Sequence, residues 1–422
     1  MPVRATKRGD ERTPIDLDCD VLICGASFAG LAIARELAGA TRPDGSPLDV
    51  VVIDRYEIGE RATSACAAPL PWIEALGLGE SVRQVFPELV LRTRIKRFSW
   101  KLPQAFCTFD YRLLCQLLAE QGDFTFETAK VEGRVGPDGA LVGAGSASAP
   151  VGGEDVIRVR TDRGEIRAPL VVDALGWRRV LAPASEENIQ PPEAFLSRGL
   201  EIHPHGEAGE LELFLDPTYV PAGYSWVFPA GHEVRVGVGS FDPRYHVKDP
   251  TLKLASDLDW DPVRFQGNWI PHKLRPATGD AIFFAGDSAG HCLPLSAEGI
   301  RPALYFGLAL GRELRLVVEG HQTREQALRR YAALSAEKEP AYTWLLRFQR
   351  LTGWLVPRKR SVTAAVTACS PPPINRRAWS RYLEAFPPSY VDEGPRGDLR
   401  PDAGGPTADA ARGTDAVAAA TA

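Results

Sequence analysis

The chain has 422 residues, of which 44% are hydrophobic and 24% charged. These proportions exclude a disordered, fibrous or disulfide-scaffold protein. The formal charge of −5 provides no broad basic field for a polyphosphate, so we expect no nucleic-acid partner.

The first 18 residues are rich in charge and lack the apolar core of a signal peptide, and no stretch reaches the ~18 apolar residues of a membrane span. The seven cysteines are odd in number and contain no CxxC pair. A reducing compartment would keep them as thiols, so the sequence predicts a cytoplasmic protein with no metal site and no disulfide.

The first predicted elements form a βαβ unit. Residues 20–24 are a short β-rich run, a glycine-containing turn follows at 25–30, and 31–37 has helix-forming composition. Residues 50–53 are a second buried strand, which ends in Asp54 and Arg55. The sequence therefore predicts a Rossmann-like parallel sheet.

The turn Gly25-Ala26-Ser27-Phe28-Ala29-Gly30 is a GxGxxG-like phosphate loop with Ser27 in the place of the second glycine. Gly25 permits the tight turn, Gly30 lets helix and strand pack closely, and the free N–H groups of the helix N-terminus suit a pyrophosphate. Asp54 stands where an acid that binds the adenosine ribose is expected. Together these features favour nucleotide binding over a turn with no ligand.

The middle of the chain leaves the nucleotide-binding unit, returns to it, and then enters a second predicted domain. Residues 91–102 alternate like a half-buried strand, and a phase slip between Ile95 and Phe98 suggests a bulge. Residues 110–121 are predicted as a helix, 124–131 and 170–173 as strands, and 156–168 as a hairpin. Residues 133–153 have the composition of a surface insertion, and 196–269 indicate a mostly antiparallel second domain.

After this domain, residues 281–285 are predicted as a buried strand and 299–318 as a long helix. We therefore divide the chain into a nucleotide-binding domain, a substrate domain, a C-terminal helical region and two disordered ends. The predicted boundaries are 1–19 disordered; 20–89, 105–185 and 276–320 nucleotide-binding; 90–104 and 186–275 substrate domain; 321–388 helical; 389–422 disordered.

The assignment of FAD comes from a second motif. Gly286-Asp287-Ser288-Ala289-Gly290 follows the strand at 281–285, and Pro294 and then Glu298-Gly299-Ile300 lead into a helix. The chain here resembles the flavoprotein superfamily of para-hydroxybenzoate hydroxylase, flavin-dependent halogenases and geranylgeranyl reductases, whose GDxxGxxxP motif holds FAD. The resemblance implies that Asp287 bonds the ribityl chain and that the helix N-terminus faces the pyrimidine edge of the flavin, where it favours negative charge.

The cofactor-binding residues predicted from the two motifs and the resemblance are Gly25, Ser27, Phe28, Ala29, Gly30, Asp54, Arg55, Arg61, Gly286, Asp287, Pro294, Gly299 and Ile300. Between the motifs, residues 173–178 resemble the family's DATG-type segment, with Leu175 in place of the usual small polar residue. A strand terminus followed by a turn glycine explains this segment nearly as well.

A third motif points to a subgroup. Residues 224–229, Tyr-Ser-Trp-Val-Phe-Pro, resemble the YxWxFP pattern of geranylgeranyl reductases, and Gly237 and Gly239 follow. In a strand, Tyr224, Trp226 and Phe228 share one face, where they could form an aromatic wall of a substrate site. For any one of them taken alone, a stacked aromatic core is the alternative interpretation.

Two further residues are candidates for catalysis. Cys66 lies where the reductases commonly carry a Cys-Gly pair, here followed by Ala67, and a buried inert thiol is the alternative. His291 is placed by the motif near the flavin, where it could relay a proton, although a solvent-contacting loop histidine is the preferred interpretation.

The last predicted helix carries Trp344, Leu345, Phe348, Leu351 and Leu355 at helical spacing, followed by the basic residues 358–360. It could be a lid over an apolar tunnel or a surface helix that contacts membrane lipid. The preferred interpretation is a core-facing helix with a basic end.

The resemblance implies an FAD-dependent oxidoreductase that reduces carbon–carbon double bonds of an isoprenoid or similarly apolar small molecule. Its electron donor would be NAD(P)H or ferredoxin, the latter being a protein partner. An FAD-dependent monooxygenase, a hydroxylase or epoxidase, is the close alternative, and a redox-neutral cyclase or an isoprenoid carrier stays open. A halogenase is disfavoured because those enzymes need a lysine after the second strand, and the chain has none between Lys7 and Lys96.

Overall fold

A computed structural model describes residues 13–62, 65–136, 139–142, 156–182 and 195–393. Most of the insertion predicted at 133–153, and the predicted tail from residue 394, lie outside these described residues.

The centre of the nucleotide-binding part is a six-stranded sheet in the order β17-β18-β11-β2-β3-β7. All neighbouring pairs are parallel except β17 with β18. The four central strands, β18, β11, β2 and β3, are almost wholly buried and rich in Val, Ile and Phe, as expected when helices cover both faces. Their bounds are β2 Val21–Cys24, β3 Val50–Asp54, β7 Thr125–Thr128, β11 Leu170–Asp173, β17 Thr278–Gly279 and β18 Ile282–Phe284.

Two buried helices pack against each other beside this sheet, α1 Phe28–Leu37 and α5 Ile300–Val318. Their axes come close because α5 has glycine at the contact. A Cβ at Gly307 would lie 2.8 Å from the carbonyl oxygen of Ala29, and one at Gly311 would lie 2.9 Å from that of Ile33. The same part of the chain contains the shorter helices α2 Leu70–Ala75 and α3 Tyr111–Ala119.

A four-stranded sheet in the order β1-β10-β9-β8 adjoins this core. Its strands are β1 Ile15–Asp18, β8 Val131–Arg134, β9 Ile157–Thr161 and β10 Gly164–Ala168. The predicted hairpin is present as the antiparallel pair β9 and β10. The prediction of disorder through residue 19 is wrong for residues 15–18, because they pair with a strand about 150 residues away, which no local pattern reveals.

The second domain is built on an eight-stranded sheet in the order β16-β12-β15-β14-β13-β5-β6-β4, flanked by α4 Lys248–Asp257. Its pairs are antiparallel except β13 with β5. Its strands are β4 Ala67–Pro69, β5 Val82–Thr93, β6 Arg97–Phe109, β12 Leu196–Ile202, β13 Glu212–Leu215, β14 Gly223–Pro229, β15 Val234–Ser240 and β16 Gln266–Pro271.

The single strand with a bulge predicted for residues 91–102 is wrong. Residues 94–96 are instead the turn of the long hairpin β5–β6, in which the Thr93 N–H donates to the carbonyl of Lys96. A turn between two strands shifts the alternation of buried residues just as a bulge does, so the sequence pattern could not separate the two.

Four further helices lie in the described residues after α5, namely α6 Arg324–Glu337, α7 Glu339–Leu355, α8 Lys359–Cys369 and α9 Pro372–Glu384. A short 3-10 helix, Pro388–Val391, follows them and reaches into the tail predicted to be disordered, and Tyr390 within it is buried. The predicted class, a Rossmann-like α/β domain with an antiparallel sheet domain and C-terminal helices, is confirmed. Among the described helices, none combines the length and apolar character needed to cross a membrane.

Candidate active site

A cavity of about 1690 Å³ lies between the carboxyl ends of the parallel strands and one face of the eight-stranded sheet. This edge of a doubly wound sheet is where such folds bind ligands. Most of the predicted site residues line the cavity: Ser27, Phe28, Ala29, Asp54, Arg55, Arg61, Cys66, Tyr224, Trp226, Phe228, Gly286, Asp287, Gly299 and Ile300. The structure thus brings together residues from four distant segments.

The first glycine turn is as tight as predicted. Gly25 has a φ of +117°, and a Cβ there would lie 2.3 Å from the carbonyl oxygen of Ala174. A Cβ at Gly30 would lie 1.8 Å from the carbonyl oxygen of Gly25. Gly25 and Gly30 do not line the cavity, so their function is to shape the turn that presents Ser27, Phe28 and Ala29 to it.

The second glycine turn lies against the first. Gly286 has a φ of +61°, and a Cβ there would lie 3.2 Å from the Cβ of Ala29, in the first turn of α1. The N-terminus of α1 and the Gly286-Asp287 turn therefore share one wall of the cavity. Two segments about 260 residues apart in sequence form a single cradle, as the motifs predicted.

Asp54 contacts the phosphate loop directly. Its Oδ2 accepts a hydrogen bond from the Ala26 N–H at 3.0 Å, and its Oδ1 accepts one from the Tyr56 N–H at 3.0 Å. Burial raises the pKa of this carboxyl, while the Ala26 and Tyr56 N–H groups oppose that rise. The carboxylate holds the loop in shape, and Asp54 also lines the cavity, where a carboxylate can accept further hydrogen bonds.

Asp287 has a different environment. It faces the cavity, and none of the residues that the structure describes donates a hydrogen bond to its carboxylate. Burial raises its pKa to about 6, and Arg275 opposes the rise. A carboxylate placed in a low-dielectric wall without a donor needs a ligand hydroxyl. This acceptor, together with the free N–H groups of α1, fits FAD, for which Asp287 would hold the ribityl chain and α1 the pyrophosphate.

Asp173, in the segment that resembles DATG, is structural rather than exposed to the cavity. Its Oδ1 accepts from the Ser288 hydroxyl at 2.7 Å and from the Leu175 N–H at 3.0 Å, and its Oδ2 accepts from the Leu181 N–H at 2.8 Å. The side chain ties the 174–181 loop to the second glycine turn. Residues 174–178 of this loop line the cavity.

The aromatic wall predicted from residues 224–229 is present. Tyr224 and Trp226 have ring centroids 6.0 Å apart, Trp226 and Phe228 6.4 Å apart, and all three line the cavity. Packing against Trp226 explains why glycine occupies positions 237 and 239. A Cβ at Gly237 would lie 2.3 Å from Cζ2 of Trp226, and one at Gly239 would lie 3.3 Å from its Cζ3. The indole therefore lies across β15, which only glycine permits.

The partner of this indole could not be predicted from the sequence pattern. The Trp226 Nε1–H donates at 3.0 Å to Glu201, a buried carboxylate that also accepts from Gln266 at 3.1 Å and pairs with the Nε2 of His203 at 2.9 Å. Burial disfavours the charged form of His203, but Glu201 and Glu233 outweigh it and raise its pKa to about 9. A lone Glu in a predicted strand carries no sequence signal for this contact.

Cys66 lies in the cavity wall with a φ of +54° and is fully buried. Burial raises the pKa of its thiol to about 12, although the nearby Arg235 lowers it. Arg235 donates to the backbone carbonyls of Ala65 and Phe109, each at 2.9 Å. The thiol is thus neutral at physiological pH and has a buried guanidinium nearby.

His291 is not placed where it was expected. It does not line the cavity; its ring is fully buried, stacks on Phe306 at 3.7 Å and lies 3.5 Å from the Ser335 hydroxyl. Burial lowers its pKa to about 3. Both expectations for this residue, a proton relay near the flavin and a solvent-contacting loop histidine, are therefore wrong, because α5 and α6 pack over it. Pro294 also lies outside the cavity lining.

The loop 293–299 connects the cradle to the C-terminal helices. Leu295 and Ala297 have φ values of +67° and +52°, and the Leu295 N–H donates to Gln349 of α7 at 2.8 Å. The Tyr224 hydroxyl donates to the Ser296 carbonyl at 2.5 Å. Non-glycine residues at positive φ are strained, so these contacts hold the loop against that strain.

A buried ion pair fixes the far end of the same loop. Arg301 and Glu298 form two hydrogen bonds of 2.8 Å, the Tyr382 hydroxyl of α9 contacts Glu298, and Arg301 donates to the Leu383 carbonyl at 3.0 Å. Helix α9 is thereby fixed to the end of the loop 293–299. No local sequence pattern reveals this cluster, because it joins residues more than 80 positions apart.

The part of the cavity next to Phe228 is apolar. Strands β5, β6 and β13, the residue before β13 and helix α9 supply large hydrophobic side chains there, namely Leu89, Leu91, Leu102, Phe106, Leu211, Leu213, Leu215 and Trp379. An apolar ligand of substantial length would be removed from water in this part of the cavity.

The chain matches no family model, but it has curated relatives in sequence. It is 22% identical over 346 residues to digeranylgeranylglycerophospholipid reductase 3 of Methanosphaera stadtmanae, covering 75% of this chain and 82% of that protein.

Two solved structures share its fold. A geranylgeranyl bacteriochlorophyll reductase-like protein from Thermoplasma acidophilum superposes with a TM-score of 0.70 at 16% identity, covering 89% of this chain and 98% of the other. PqsL of Pseudomonas aeruginosa, described as a probable FAD-dependent monooxygenase, gives 0.58 at 19% identity, covering 83% of this chain and 100% of the other.

The fold and the cradle define the class: the chain is an FAD-dependent oxidoreductase. Within that class it is related in sequence to the geranylgeranyl reductases, so the resemblance predicted from the motifs is confirmed.

Proposed function

We propose that this oxidoreductase reduces a carbon–carbon double bond in an isoprenoid or similarly apolar small molecule. The observation that carries the proposal is the continuity of the cavity from the flavin cradle, past the wall of Tyr224, Trp226 and Phe228, into its apolar end. A substrate with a long hydrocarbon chain would place one double bond at the cradle and the rest of the chain against leucine side chains. The named relatives are reductases of geranylgeranyl compounds.

When bound and reduced, FAD supplies a hydride to one alkene carbon. The other carbon then needs a proton, and Cys66 is the best-placed source. Its thiol is protonated at neutral pH because its pKa is about 12, and the charge of Arg235 would stabilise the thiolate left behind. Water must return the proton afterwards.

Tyr224 and His291 are weaker candidates for the proton donor. The Tyr224 hydroxyl already donates to the Ser296 carbonyl, so it would have to break that bond to serve a substrate. His291 is neutral and lies outside the cavity. The geometry therefore supports Cys66 over the other two.

The two electrons come from NAD(P)H or from ferredoxin. Titration of the flavin-loaded protein with each donor under anaerobic conditions separates these sources: two electrons arrive in one step from a nicotinamide and singly from ferredoxin.

The test is anaerobic reduction with dithionite, followed by addition of geranylgeraniol or of air. We expect reoxidation by the alkene and a product heavier by two hydrogens for each double bond reduced. Reoxidation that requires air, with a gain of one oxygen, would assign the protein to the monooxygenases, a second function supported by the shared fold of PqsL. A product of unchanged mass would indicate a cyclase, and unaltered substrate in a tight complex a carrier.

A further inference from the structure

The C-terminal helices present large apolar side chains to solvent. On α7, Phe348, Leu351 and Trp354 are 40%, 46% and 55% exposed, and Ile374 of α9 is 53% exposed. The buried residues of α7, such as Tyr342 and Leu345, lie on its other side. The prediction of a core-facing helix is therefore right for Leu345 and wrong for Phe348 and Leu351. We call the four exposed side chains the apolar face.

The apolar face lies within the most basic stretch of an acidic protein. Between residues 340 and 383 the sequence has no Asp or Glu, although the whole chain has a formal charge of −5. The stretch contains eight cations: Arg347, Arg350, Arg358, Lys359, Arg360, Arg376, Arg377 and Arg381. Throughout the part of the chain that the structure describes, none of the eight has a carboxylate within 4 Å.

Two of these cations pack on aromatic rings rather than on acids. The Arg358 guanidinium lies 4.1 Å from the Trp354 ring centroid, and that of Arg381 lies 5.3 Å from Trp344. Aromatic rings with cations beside them, on a helix that is apolar on its exposed side, are typical of a surface that sits in the headgroup region of a bilayer.

The cavity reaches the same helices. Thr352 of α7 and Ile374, Ala378 and Trp379 of α9 line it, and Ile374 is at once part of the lining and of the apolar face. An apolar molecule could thus pass from this surface into the cavity without crossing open water.

We propose that the apolar face and its cations form a docking surface for an anionic lipid bilayer. Eight cations without a single acid complement anionic headgroups, and Phe348, Leu351 and Trp354 would enter the acyl boundary. A second copy of the chain is a poorer occupant because it would bring the same eight cations against these eight. The docking surface is inferred from charge and exposure, so it does not depend on the proposed reaction.

The experiment is flotation of the full flavin-loaded chain with large unilamellar vesicles, without substrate. We expect binding to phosphatidylcholine vesicles that contain 30% phosphatidylglycerol, weak binding to pure phosphatidylcholine, and loss of binding at 1 M salt. Two variants separate the contributions. K359Q/R360Q should weaken binding by on the order of tenfold, and F348S/W354S should weaken it by at least as much.

Each variant has a matched control outside the docking surface. R112Q/R329Q removes two exposed cations from α3 and α6, and F265S removes an exposed aromatic residue that lies before β16. Both should bind vesicles like the parent chain. All variants should retain the parent's circular dichroism and flavin content, which shows that they fold.

Three results would overturn the proposal. The first is equal binding to neutral and anionic vesicles, the second is an equal loss in R112Q/R329Q and K359Q/R360Q, and the third is a parent dimer in sedimentation velocity that F348S/W354S abolishes. Alkene reduction by K359Q/R360Q with detergent-dispersed substrate is scored separately, so failure of the docking surface and failure of the reductase function are distinguishable.

Discussion

The indole N–H of Trp226 donates a 3.0 Å hydrogen bond to the buried carboxylate of Glu201, across the strand that lies between them. This bond positions the central ring of the aromatic wall, which packs closely on Gly237 and Gly239 of β15. The same carboxylate also contacts His203 and Gln266. Glu201 is therefore a positioning residue for the wall.

Replacing Glu201 by alanine should destabilise the protein and loosen the wall. The change leaves the buried N–H of Trp226 without this acceptor, at a cost of about 1–3 kcal/mol, and it also removes a carboxylate partner of His203. We expect a loss of about 3 kcal/mol in the free energy of urea unfolding for E201A and a smaller loss for E201Q, which keeps an acceptor. E207A is the control, since Glu207 pairs with His232 at the exposed surface and should change nothing measurable. Equal effects in E201A and E207A would contradict this role.

Stability should fall at alkaline pH because of His203. Its pKa is about 9 in the folded chain against 6.5 as the ordinary value, so the stabilisation is complete below pH 6.5 and is lost as the pH rises through 9. This shift in the pKa of His203 corresponds to about 3 kcal/mol of unfolding free energy. Urea unfolding of the parent and of H203Q at pH 6 and pH 9.5 measures it: the difference between the two proteins should be larger at pH 6. A constant difference would show that His203 does not titrate in this range.

Alanine at Gly25 should abolish FAD binding. The new Cβ would overlap the carbonyl of Ala174 and would also require a φ of +117°, so we expect a loss of stability of at least about 3 kcal/mol. G39A is the matched control, because Gly39 has a φ of +68° but no atom within 4 Å of its added Cβ. The G39A variant should lose about 1–2 kcal/mol of unfolding free energy and should still bind FAD. Thermal unfolding of the purified variants measures the loss of stability, and their flavin absorbance measures the loss of FAD.

Replacing Asp287 by asparagine should stabilise the chain without FAD and should weaken FAD binding. Burial raises the pKa of Asp287 to about 6, so its ionised form destabilises the flavin-free chain as the pH rises from 4 to 6. At pH 7, D287N without FAD should be more stable than the parent by up to about 3 kcal/mol. It should nevertheless bind FAD more weakly, as fluorescence titration will show. D249N, at an exposed position in α4, should change neither quantity.

Alanine at Cys66 should slow product formation and leave the flavin chemistry before it intact. Loss of a proton donor typically costs on the order of 100-fold or more in rate. Single-turnover measurements on the reduced protein should show this loss in C66A, with unchanged FAD affinity and unchanged reduction by dithionite. C107A removes another buried thiol that does not line the cavity and should turn over normally. Normal turnover in C66A would assign the proton to another group.

Local sequence patterns predicted much of the cradle. A strand, a glycine turn and a helix follow one another within about 20 residues in both motifs, so the geometry of each turn depends mainly on neighbouring residues. The common face of Tyr224, Trp226 and Phe228 follows from strand alternation alone. These features were found because their physical causes lie within a few residues of each other.

Tertiary structure alone decided the rest. The contact between Glu201 and Trp226, the burial of His291 beneath α5 and α6, and the pairing of β1 with β10 all join residues that are far apart in sequence. Which side of α7 meets the core depends on what packs against it, and an amphipathic pattern with apolar residues on both sides does not specify that. The sequence by itself thus determined the cofactor cradle, whereas the packing of distant elements decided the shape of the cavity and which side chains face it.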